Sequence, residues 1–281
     1  MSKPMLAHDF KRPECATKIV FPAMAQRKID GWRCIATGIC TDCSETHTSD
    51  FKLVSRTGKP LLSLDHIMKD LEGSLVTCEC PTITLDGELY SNRLTLQQLS
   101  ALLQKKSITD IKAYESIFYV VFDVIMVGSN VRRQEWLAAF FAANKFKHVK
   151  LLPNEPCKTK EDAEHLKKQY IDEGYEGVML RNLDAPYEHK RSYHLQKFKA
   201  TSDAEFKVAG WQVDKDNGIT WECQTSDGKL FHAKPDGRLA DRVAAVNTAA
   251  EMVGKMLTIK FQELSDTGVP RFPVAVGFRV D

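Results

Sequence analysis

Apolar and polar residues alternate in short runs along most of the chain, and this pattern predicts strands more often than helices. Residues 26–37 alternate in this way, and residues 117–125 form a mostly apolar run that predicts a buried central strand. Residues 78–89 predict another strand, with a turn near Asp86 and Gly87. Helical spacing and capping residues predict four helices: 64–71 with Ser63 as N-cap, 96–105 with Thr95 as N-cap, 133–144, and a helix from Thr159 to Gly174.

The pattern changes after about residue 199, where short alternating runs are separated by turn residues. One helical stretch, 239–253, interrupts these runs. Several short strands with a single helix, in a segment of this length, are typical of a small OB-fold barrel. We therefore predict two domains, 1–200 and 201–281, the second containing the strand-like runs 206–211, 219–225, 230–234, 256–264 and 274–279.

Composition narrows the class of protein further. The 281 residues are 43% hydrophobic and 27% charged, with 14 Phe, 7 Tyr and 4 Trp, which is the profile of a folded globular protein. No apolar run approaches the roughly 20 residues that cross a bilayer, and the N-terminus lacks the apolar segment of a secretory signal. We therefore expect a cytoplasmic protein without a membrane partner, whose 8 Cys are reduced.

The charge balance says little about partners, because 39 Lys and Arg nearly offset 37 Asp and Glu. A polyanion would have to be bound by local clusters of cations. One such cluster is formed by Lys145, Lys147, His148 and Lys150, which fits a solvated loop better than phosphate contacts. A second is His189-Lys190-Arg191, which is the better candidate of the two for contact with DNA.

The most informative single residue is Lys28, in the motif Lys28-Ile29-Asp30-Gly31. A lysine amine can attack phosphorus or a carbonyl carbon once it is deprotonated, and desolvation or neighbouring cations favour that state. The glycine after the aspartate permits a tight turn beside the lysine. By itself, however, the motif also fits an ordinary surface turn.

Further motifs suit the binding of a nucleotide. Arg56, beside the turn residue Gly58, has the donor fork that phosphate prefers. Glu88, in Asp86-Gly87-Glu88, could accept ribose hydroxyls or help to hold a metal. Lys197 and Lys199 share one face of a strand, where they repel each other unless an anion lies between them. Each of these segments alone also fits a solvated turn or strand.

In combination and in this order, the motifs resemble those of the small viral and bacterial ATP-dependent DNA ligases, members of the covalent nucleotidyltransferase superfamily. The matching sequences are K-x-D-G, S-R-x-G, D-G-E, F-D, E-G-V-M-x-R and K-x-K, and residues 269–279 resemble the motif in the OB domain. The resemblance implies an α+β fold. A nucleotidyltransferase (adenylation) domain with antiparallel sheets and flanking helices would span residues 1–200, and an OB-fold β-barrel would span residues 201–281.

The resemblance also implies an activity, namely the sealing of 3′-hydroxyl/5′-phosphate nicks in duplex DNA through a lysyl-AMP and a DNA-adenylate. The enzyme would use ATP with Mg²⁺ or Mn²⁺, would bind nicked duplex DNA and would act as a monomer. The alternatives within the superfamily are an RNA ligase and a capping-type guanylyltransferase. A non-catalytic nucleic-acid-binding OB protein is a further alternative, against which the intact motifs argue.

Residue roles follow from the same resemblance. Lys28 would be the nucleophile that carries AMP. Glu176 and Glu88 would hold the metal. Arg271 and Asp281 would belong to the OB motif, although the chain ends where that motif usually continues. The nucleotide would be bound by Gln26, Arg33, Arg56, Glu88, Phe122, Met179, Lys197 and Lys199, and DNA phosphates would be contacted by Arg33, Arg56, Lys190 and Arg191.

One cysteine pattern lies outside these motifs. Cys34, Cys40, Cys43 and His47 have a spacing similar to that of zinc ligands, in an apparent hairpin insertion. A second pair of ligands is missing, and the resembling family does not need zinc. We therefore interpret the segment as a reduced loop and keep a zinc site as the alternative.

Overall fold

The computed structural model describes residues 3–40, 49–72, 74, 82–104 and 110–278. The strands within these ranges are β1 (Leu6–Asp9), β2 (Ala23–Arg27), β3 (Trp32–Cys40), β4 (Ser49–Ser55), β5 (Thr82–Tyr90), β6 (Phe118–Val124), β7 (Val149–Leu151), β8 (Asn154–Cys157), β9 (Gly177–Asn182), β10 (Arg191–Lys199), β11 (Ser202–Val213), β12 (Ile219–Gln224), β13 (Leu230–Pro235), β14 (Met256–Phe261) and β15 (Val274–Phe278). The helices are α1 (Pro13–Ala16), α2 (Asp65–Glu72), α3 (Leu96–Leu103), α4 (Ile111–Glu115), α5 (Asn130–Ala143), α6 (Lys160–Asp172), α7 (Leu239–Ala244) and a 3-10 helix over Ala245–Met252.

The chain divides into two compact units, Met1–Phe198 and Lys199–Asp281. The first unit contains two five-stranded sheets, and the predicted α+β class is confirmed. The first sheet has the strand order β1-β10-β9-β2-β8, and the second sheet has the order β4-β3-β5-β6-β7. Antiparallel pairing predominates, while two parallel pairs, β1 with β10 and β6 with β7, lie at sheet edges.

Helices cover one face of each sheet in the first unit. Leu85 and Tyr119 of the second sheet pack in one buried cluster with Ile67, Leu99 and Leu137 of α2, α3 and α5. The first sheet packs in a similar way against α6. These apolar faces are turned away from a cavity between the two sheets, so the opposite faces are left to carry polar side chains.

Two of the predicted helix starts are confirmed with their caps. Thr95 accepts a hydrogen bond from Gln98 N at the start of α3, and the Gln98 side chain accepts one from Thr95 N. Thr159 and Asp162 form the same reciprocal arrangement at the start of α6. Such a capping box satisfies backbone N–H groups that the first helical turn leaves without partners.

The prediction of one continuous strand over residues 26–37 was wrong. The structure divides it into β2 and β3, separated by residues 28–31. The interruption is the motif that contains Lys28. The chain therefore passes from the first sheet to the second at this lysine, and the residue lies between the sheets.

Two further local predictions were also wrong. Asp86 and Gly87 do not form a turn, because β5 continues through them and the register with β6 shifts at this point. Ser63 does not cap α2, which begins at Asp65; Ser63 has a φ of 66°, in the left-handed region. Residues 75–81, which include the start of the predicted strand, lie outside the described residues.

The second unit contains the predicted barrel. Its strands close in the order β11-β12-β13-β15-β14 around a core that includes Val208, Trp221 and Ile259. The predicted helical stretch 239–253 consists of α7 followed by the 3-10 helix. Among the described helices of both units, none combines the length and apolar character that a membrane span requires.

Candidate active site

A cavity of about 270 Å³ lies between the two sheets of the first unit. We call it the catalytic cavity. Most residues that the sequence predicted for a nucleotide site line this cavity, although they come from distant parts of the chain. The predicted residues found there are Gln26, Lys28, Arg33, Arg56, Glu88, Phe122, Met179, Arg191 and Lys197.

The position of Lys28 is fixed by backbone pairing with the segment that precedes β9. Lys28 N donates to Gly177 O at 2.8 Å, and Glu176 N donates to Lys28 O at 3.0 Å. The same pairing brings the two side chains together, with Lys28 Nζ 2.8 Å from Glu176 Oε1. Only 20% of the lysine side chain is exposed, so the amine is held in the cavity and does not extend into solvent.

Gly31 explains why a glycine follows Asp30. A Cβ at this position would lie 2.3 Å from Leu89 O and 2.7 Å from Glu88 Cγ. Only a residue without a side chain lets the loop pack this closely on β5. This close approach places the loop that carries Lys28 directly against Glu88.

Arg33 and Glu88 are direct neighbours across β3 and β5. Arg33 also binds Asp86 through Nε and Nη2, each at 2.5 Å, and this fork holds the guanidinium in one orientation. Burial raises the pKa of Glu88 to about 7, although Arg33 and Lys28 act in the opposite direction. The surroundings of Glu88 therefore favour a carboxyl group that is either protonated or paired with a cation.

Phe122 enters the cavity at an irregularity in the second sheet. The register between β5 and β6 passes from Asp86–Asp123 to Gly87–Val121, which leaves Phe122 as an extra residue in β6. The ring packs with Ile29, Val120 and Leu152. Met179 lines the cavity from β9 in the first sheet, so an aromatic ring and a thioether lie on strands of different sheets.

Gln26 lines the cavity, and hydrogen bonds hold its side-chain amide in place. Its Nε2 donates to Phe122 O at 3.2 Å, and its Oε1 accepts from Arg181 Nε at 2.9 Å. Gln134 Nε2 donates to the same Phe122 carbonyl at 3.0 Å. These contacts connect both sheets beneath the cavity and fix the orientation of the Gln26 amide.

A buried charge network behind the cavity was missed by the sequence interpretation. Asp123 is fully buried and accepts hydrogen bonds from Arg133 Nε at 2.7 Å and from Arg181 Nη1 at 2.7 Å. Arg133 also donates to the carbonyl groups of Gly128 and Ala185. Asp123 and Arg181 belong to motifs that the resemblance quoted, so the signal was present, but Arg133 has no such motif.

Arg27 was missed for a different reason. It adjoins Lys28 in the sequence, lines the cavity and pairs with Glu155 at 2.6 Å and Glu173 at 2.8 Å. Its guanidinium also lies 4.4 Å from the centre of the Tyr170 ring. None of these partners is near Arg27 in sequence, so no local pattern could have identified the contacts.

The other predicted phosphate ligands differ in their surroundings. Arg56 is exposed in the turn after β4, and among the described residues it has no ion-pair partner. Lys197 lines the cavity from β10. Lys199 does not line it and donates to Gln262 Oε1 at 2.9 Å within the second unit.

The remaining predicted residues are Lys190, Arg191 and the two OB-motif residues. Lys190 is exposed and pairs with Glu188 at 2.9 Å, while Arg191 donates to Ala7 O. In the second unit, Arg271 pairs with Glu263. Asp281 lies outside the described residues.

Of the four possible zinc ligands, only Cys34 has a side chain that the structure describes. Cys34 is fully buried in the core of the second sheet, and burial raises the pKa of its thiol well above the usual value. Its side chain therefore belongs to the apolar core. The side chain of Cys40 and residues 41–48, which include Cys43 and His47, lie outside what the structure describes.

A divalent cation would have a limited set of protein ligands in the catalytic cavity. Among the described residues, no group of three or more His, Cys, Asp and Glu is arranged to hold a metal ion. Glu88 and Glu176 nevertheless lie close enough to Lys28, and to each other, to interact electrostatically. Two carboxylates fit Mg²⁺ when substrate phosphates and water complete the coordination.

Two family models match the chain. The ATP-dependent DNA ligase domain matches residues 4–199, and the DNA ligase OB-like domain matches residues 220–279. A DNA ligase of African swine fever virus (isolate Tick/South Africa/Pretoriuskop Pr4/1996) is 34% identical over 276 residues. That alignment covers 91% of this chain and 63% of the viral protein, so the chain spans less than two thirds of its relative's length.

Solved structures share the fold. A structure from a study of DNA binding by Lig E DNA ligases has a TM-score of 0.77 at 21% identity, and it covers 99% of this chain and 100% of its own. A Chlorella virus DNA ligase-adenylate has a TM-score of 0.52 at 23% identity, with coverage of 100% and 99%. At these identities the similarity concerns the fold alone.

Proposed function

Because this chain belongs to the ATP-dependent DNA ligase family, we propose that it seals 3′-hydroxyl/5′-phosphate nicks in duplex DNA and takes AMP from ATP. One observation carries the proposal. The Lys28 amine lies in a cavity lined by arginines and by Lys197, 2.8 Å from the Glu176 carboxylate. This is the environment that a nucleophilic lysine requires when its target is a polyanion.

In the first step, Lys28 Nζ attacks the α-phosphorus of ATP. A P–N bond forms, the P–O bond to the β-phosphate breaks, and pyrophosphate leaves with the electron pair. Nζ must give up a proton before its lone pair can attack. Glu176 Oε1 accepts the shorter of the two described Nζ hydrogen bonds, so we assign to Glu176 the orientation of the amine.

The adenosine would occupy the apolar part of the cavity. We assign the base to the space between Phe122 and Met179, which line the cavity from different sheets. Gln26, whose amide is held in one orientation by Arg181 and Phe122 O, would contact the edge of the base. Glu88 would accept the ribose hydroxyls.

The phosphates would meet the cations of the cavity. Arg56 and Lys197 are assigned to the phosphates of ATP, and Lys199 remains a prediction because its amine contacts Gln262. The Arg33 guanidinium is bound to Asp86, so its N–H donors are held in one orientation in the cavity. Glu88 and Glu176 would hold Mg²⁺ or Mn²⁺, which when bound neutralises phosphate charge.

The later steps use the same cavity. An oxygen of the 5′-phosphate at the nick attacks the AMP phosphorus, the P–N bond breaks, and the Lys28 amine recovers a proton. The 3′-hydroxyl then attacks the 5′-phosphate phosphorus, loses its proton and displaces AMP. Lys190 and Arg191 as DNA contacts, and Arg271 and Asp281 as OB-motif residues, remain predictions from the resemblance.

The test is the intact mass of the protein after incubation with ATP and Mg²⁺. We expect a gain of one AMP, mapped by peptide digestion to Lys28, and no gain for Lys28→Ala. A folded Lys28→Ala protein that still seals nicked DNA would overturn the mechanism. Labelled GTP in place of ATP tests for a guanylyltransferase, and nicked RNA in place of nicked DNA tests for an RNA ligase.

A further inference from the structure

A second cavity of about 510 Å³ lies in the first unit, beyond the residues assigned to catalysis. We call it the basic cavity. Its lining includes the cations Arg93, Lys112, Lys147 and Lys150, together with His66 and His148. Glu115 is the carboxylate in this lining. The local excess of positive charge therefore contrasts with the nearly neutral chain.

The four cations of the basic cavity form no ion pair in the described part of the chain, although Glu115 belongs to the same lining. None of Arg93, Lys112, Lys147 and Lys150 forms an ion pair with a described carboxylate, even though such pairs are common elsewhere in the unit. Like charges around one cavity repel each other unless an anion lies among them. The lining of the basic cavity therefore favours an anionic ligand.

The walls of the basic cavity are held in place by specific contacts. The backbone N–H groups of Lys147 and His148 both donate to Asp70 Oδ2, at 2.8 and 2.5 Å. Lys150 Nζ lies 3.7 Å from the centre of the Phe118 ring. His148 Nδ1 is buried 3.8 Å from Asp70 Oδ2 and makes no hydrogen bond to a described residue. The cavity is therefore a formed recess whose exposed lysines can donate to a ligand.

The basic cavity and the catalytic cavity share one face of the second sheet. Phe118, Val120 and Phe122 pack in the same cluster on this face, and Phe118 lines the basic cavity while Phe122 lines the catalytic cavity. The two rings are four positions apart in β6, or at most about 13 Å at roughly 3.3 Å per residue, because the irregularity at Phe122 shortens the path. One strand of DNA advances about 3.4 Å per nucleotide, so this separation corresponds to roughly four nucleotides.

We propose that the basic cavity binds backbone phosphates of the duplex, within about four nucleotides of the part of the duplex that lies at the catalytic cavity. The inference rests on the proposed function, since it takes duplex DNA as the substrate. A duplex supplies a regular row of phosphates along the shared face, whereas a single small anion would occupy only part of the cavity. Contacts of this kind provide affinity that depends on salt and is independent of sequence.

The test compares two triple variants that remove the same charge. Lys112→Ala/Lys147→Ala/Lys150→Ala alters the basic cavity, and Lys158→Ala/Lys160→Ala/Lys168→Ala alters exposed lysines in and next to α6. We expect the first variant to bind a nicked duplex more weakly than the second at low salt, and the difference to shrink as the salt concentration rises. Its plot of log K against log salt should be shallower by about one for each phosphate that the protein no longer neutralises.

Varying the length of the duplex shows how far from the nick the contact lies. If the proposal is right, shortening one arm of the nicked duplex to fewer than about four base pairs should remove the difference between the two variants. Equal affinities and equal salt slopes for the two variants on long duplexes would overturn the proposal. Binding of inorganic phosphate that depends on these lysines, without any change in the DNA salt slope, would also overturn it and indicate a small-anion site.

The proposed function can fail independently of this inference. Binding is measured without ATP, and AMP transfer to Lys28 is measured without DNA, where both triple variants should match the unmodified protein. If the protein acquires no AMP yet the salt slopes differ, the basic cavity binds DNA and the proposed reaction is wrong. If AMP transfer and sealing are normal but the slopes agree, only the inference about the basic cavity fails.

Discussion

The catalytic cavity and the basic cavity are both lined by cations, but they hold those cations differently. In the catalytic cavity Lys28, Arg27 and Arg33 each contact a carboxylate at 2.5–2.8 Å, and Arg181 contacts Asp123 at 2.7 Å. Arg56 and Lys197, which are assigned to the ATP phosphates, form no ion pair among the described residues. In the basic cavity Arg93, Lys112, Lys147 and Lys150 have no such partner among the described residues.

This difference corresponds to two kinds of task. Transfer of a phosphoryl group requires each charge to lie at a defined atom, and a carboxylate partner fixes that position before the substrate arrives. Attraction of a nucleic-acid backbone requires positive charge over an area, and unpaired flexible lysines provide it. Substitutions should therefore affect position-dependent chemistry in one cavity and salt-dependent affinity in the other.

The largest effect is expected when a buried counter-charge is removed behind the catalytic cavity. Asp123→Asn leaves Arg133 and Arg181 buried without their common carboxylate. Loss of one partner from a buried charge cluster costs about 3–5 kcal/mol, and we expect this decrease in the free energy of unfolding. Urea unfolding followed by circular dichroism measures it.

Glu115→Gln is the matched change in the basic cavity. Glu115 is exposed, so its replacement should alter the free energy of unfolding by less than about 0.5 kcal/mol. Equal decreases in stability in the two variants would mean that the two cavities do not hold their charges differently. The comparison between them would then be wrong.

A smaller effect is expected at the loop that carries Lys28. Gly31→Ala forces a methyl group against Leu89 O, and the resulting backbone shift should cost about 1–3 kcal/mol. Because Lys28 and Glu88 move with that loop, transfer of AMP should fall by up to about a hundredfold. Intact-mass measurement over time gives this rate.

Gly228→Ala provides the control for backbone strain. Gly228 has a φ of 85° in the second unit, and its nearest neighbouring atom would lie 3.8 Å from an added Cβ. A left-handed alanine costs about 1–2 kcal/mol, so stability should fall by a similar amount. AMP transfer should nevertheless stay normal; a comparable decrease would attribute the Gly31→Ala effect to general instability.

The sequence predicted helices and strands correctly where local interactions determine them. The helix starts at Thr95 and Thr159 and the five barrel strands were predicted from caps, turns and alternation. The strand over 26–37 was wrong because alternation continues through a loop whose path depends on contacts with β5. The turn at Asp86 and Gly87 was wrong because pairing with β3 and β6 carries β5 through these residues.

The candidate site was predictable where motifs exist and unpredictable where only tertiary contacts exist. Lys28, Glu88 and Phe122 belong to motifs, and all three line one cavity. Arg27 finds its carboxylate partners across large sequence separations, so no spacing pattern identifies it, and Arg133 belongs to none of the quoted motifs. The basic cavity likewise combines segments around residues 66, 93, 112 and 150, of which the sequence indicated only the last.

The smallest expected effect concerns His66, in the basic cavity. Burial lowers the pKa of His66, and a hydrogen bond with Ile117 O opposes this shift. An unfolded histidine titrates near about 6.5, so the unfolded chain binds this proton at a higher pH than the folded chain does. The free energy of unfolding should therefore decrease as the pH falls below about 6.5, by at most about 1.4 kcal/mol per pH unit.

His66→Gln removes this contribution, and urea unfolding between pH 5 and pH 8, about the range over which histidine titrates, measures the change in slope. The charged groups that face His66 are unchanged in the variant; these are His148, Glu115, Asp70, Arg93, Lys112, Lys147 and Lys150. A difference in the free energy of unfolding that is the same at every pH would contradict the prediction.

Duplex DNA sharpens the test. Phosphates in the basic cavity would favour the imidazolium of His66 and so reduce the difference between the two proteins at low pH. If DNA leaves the difference unchanged while it binds, its phosphates lie elsewhere, and the two cavities do not share one duplex.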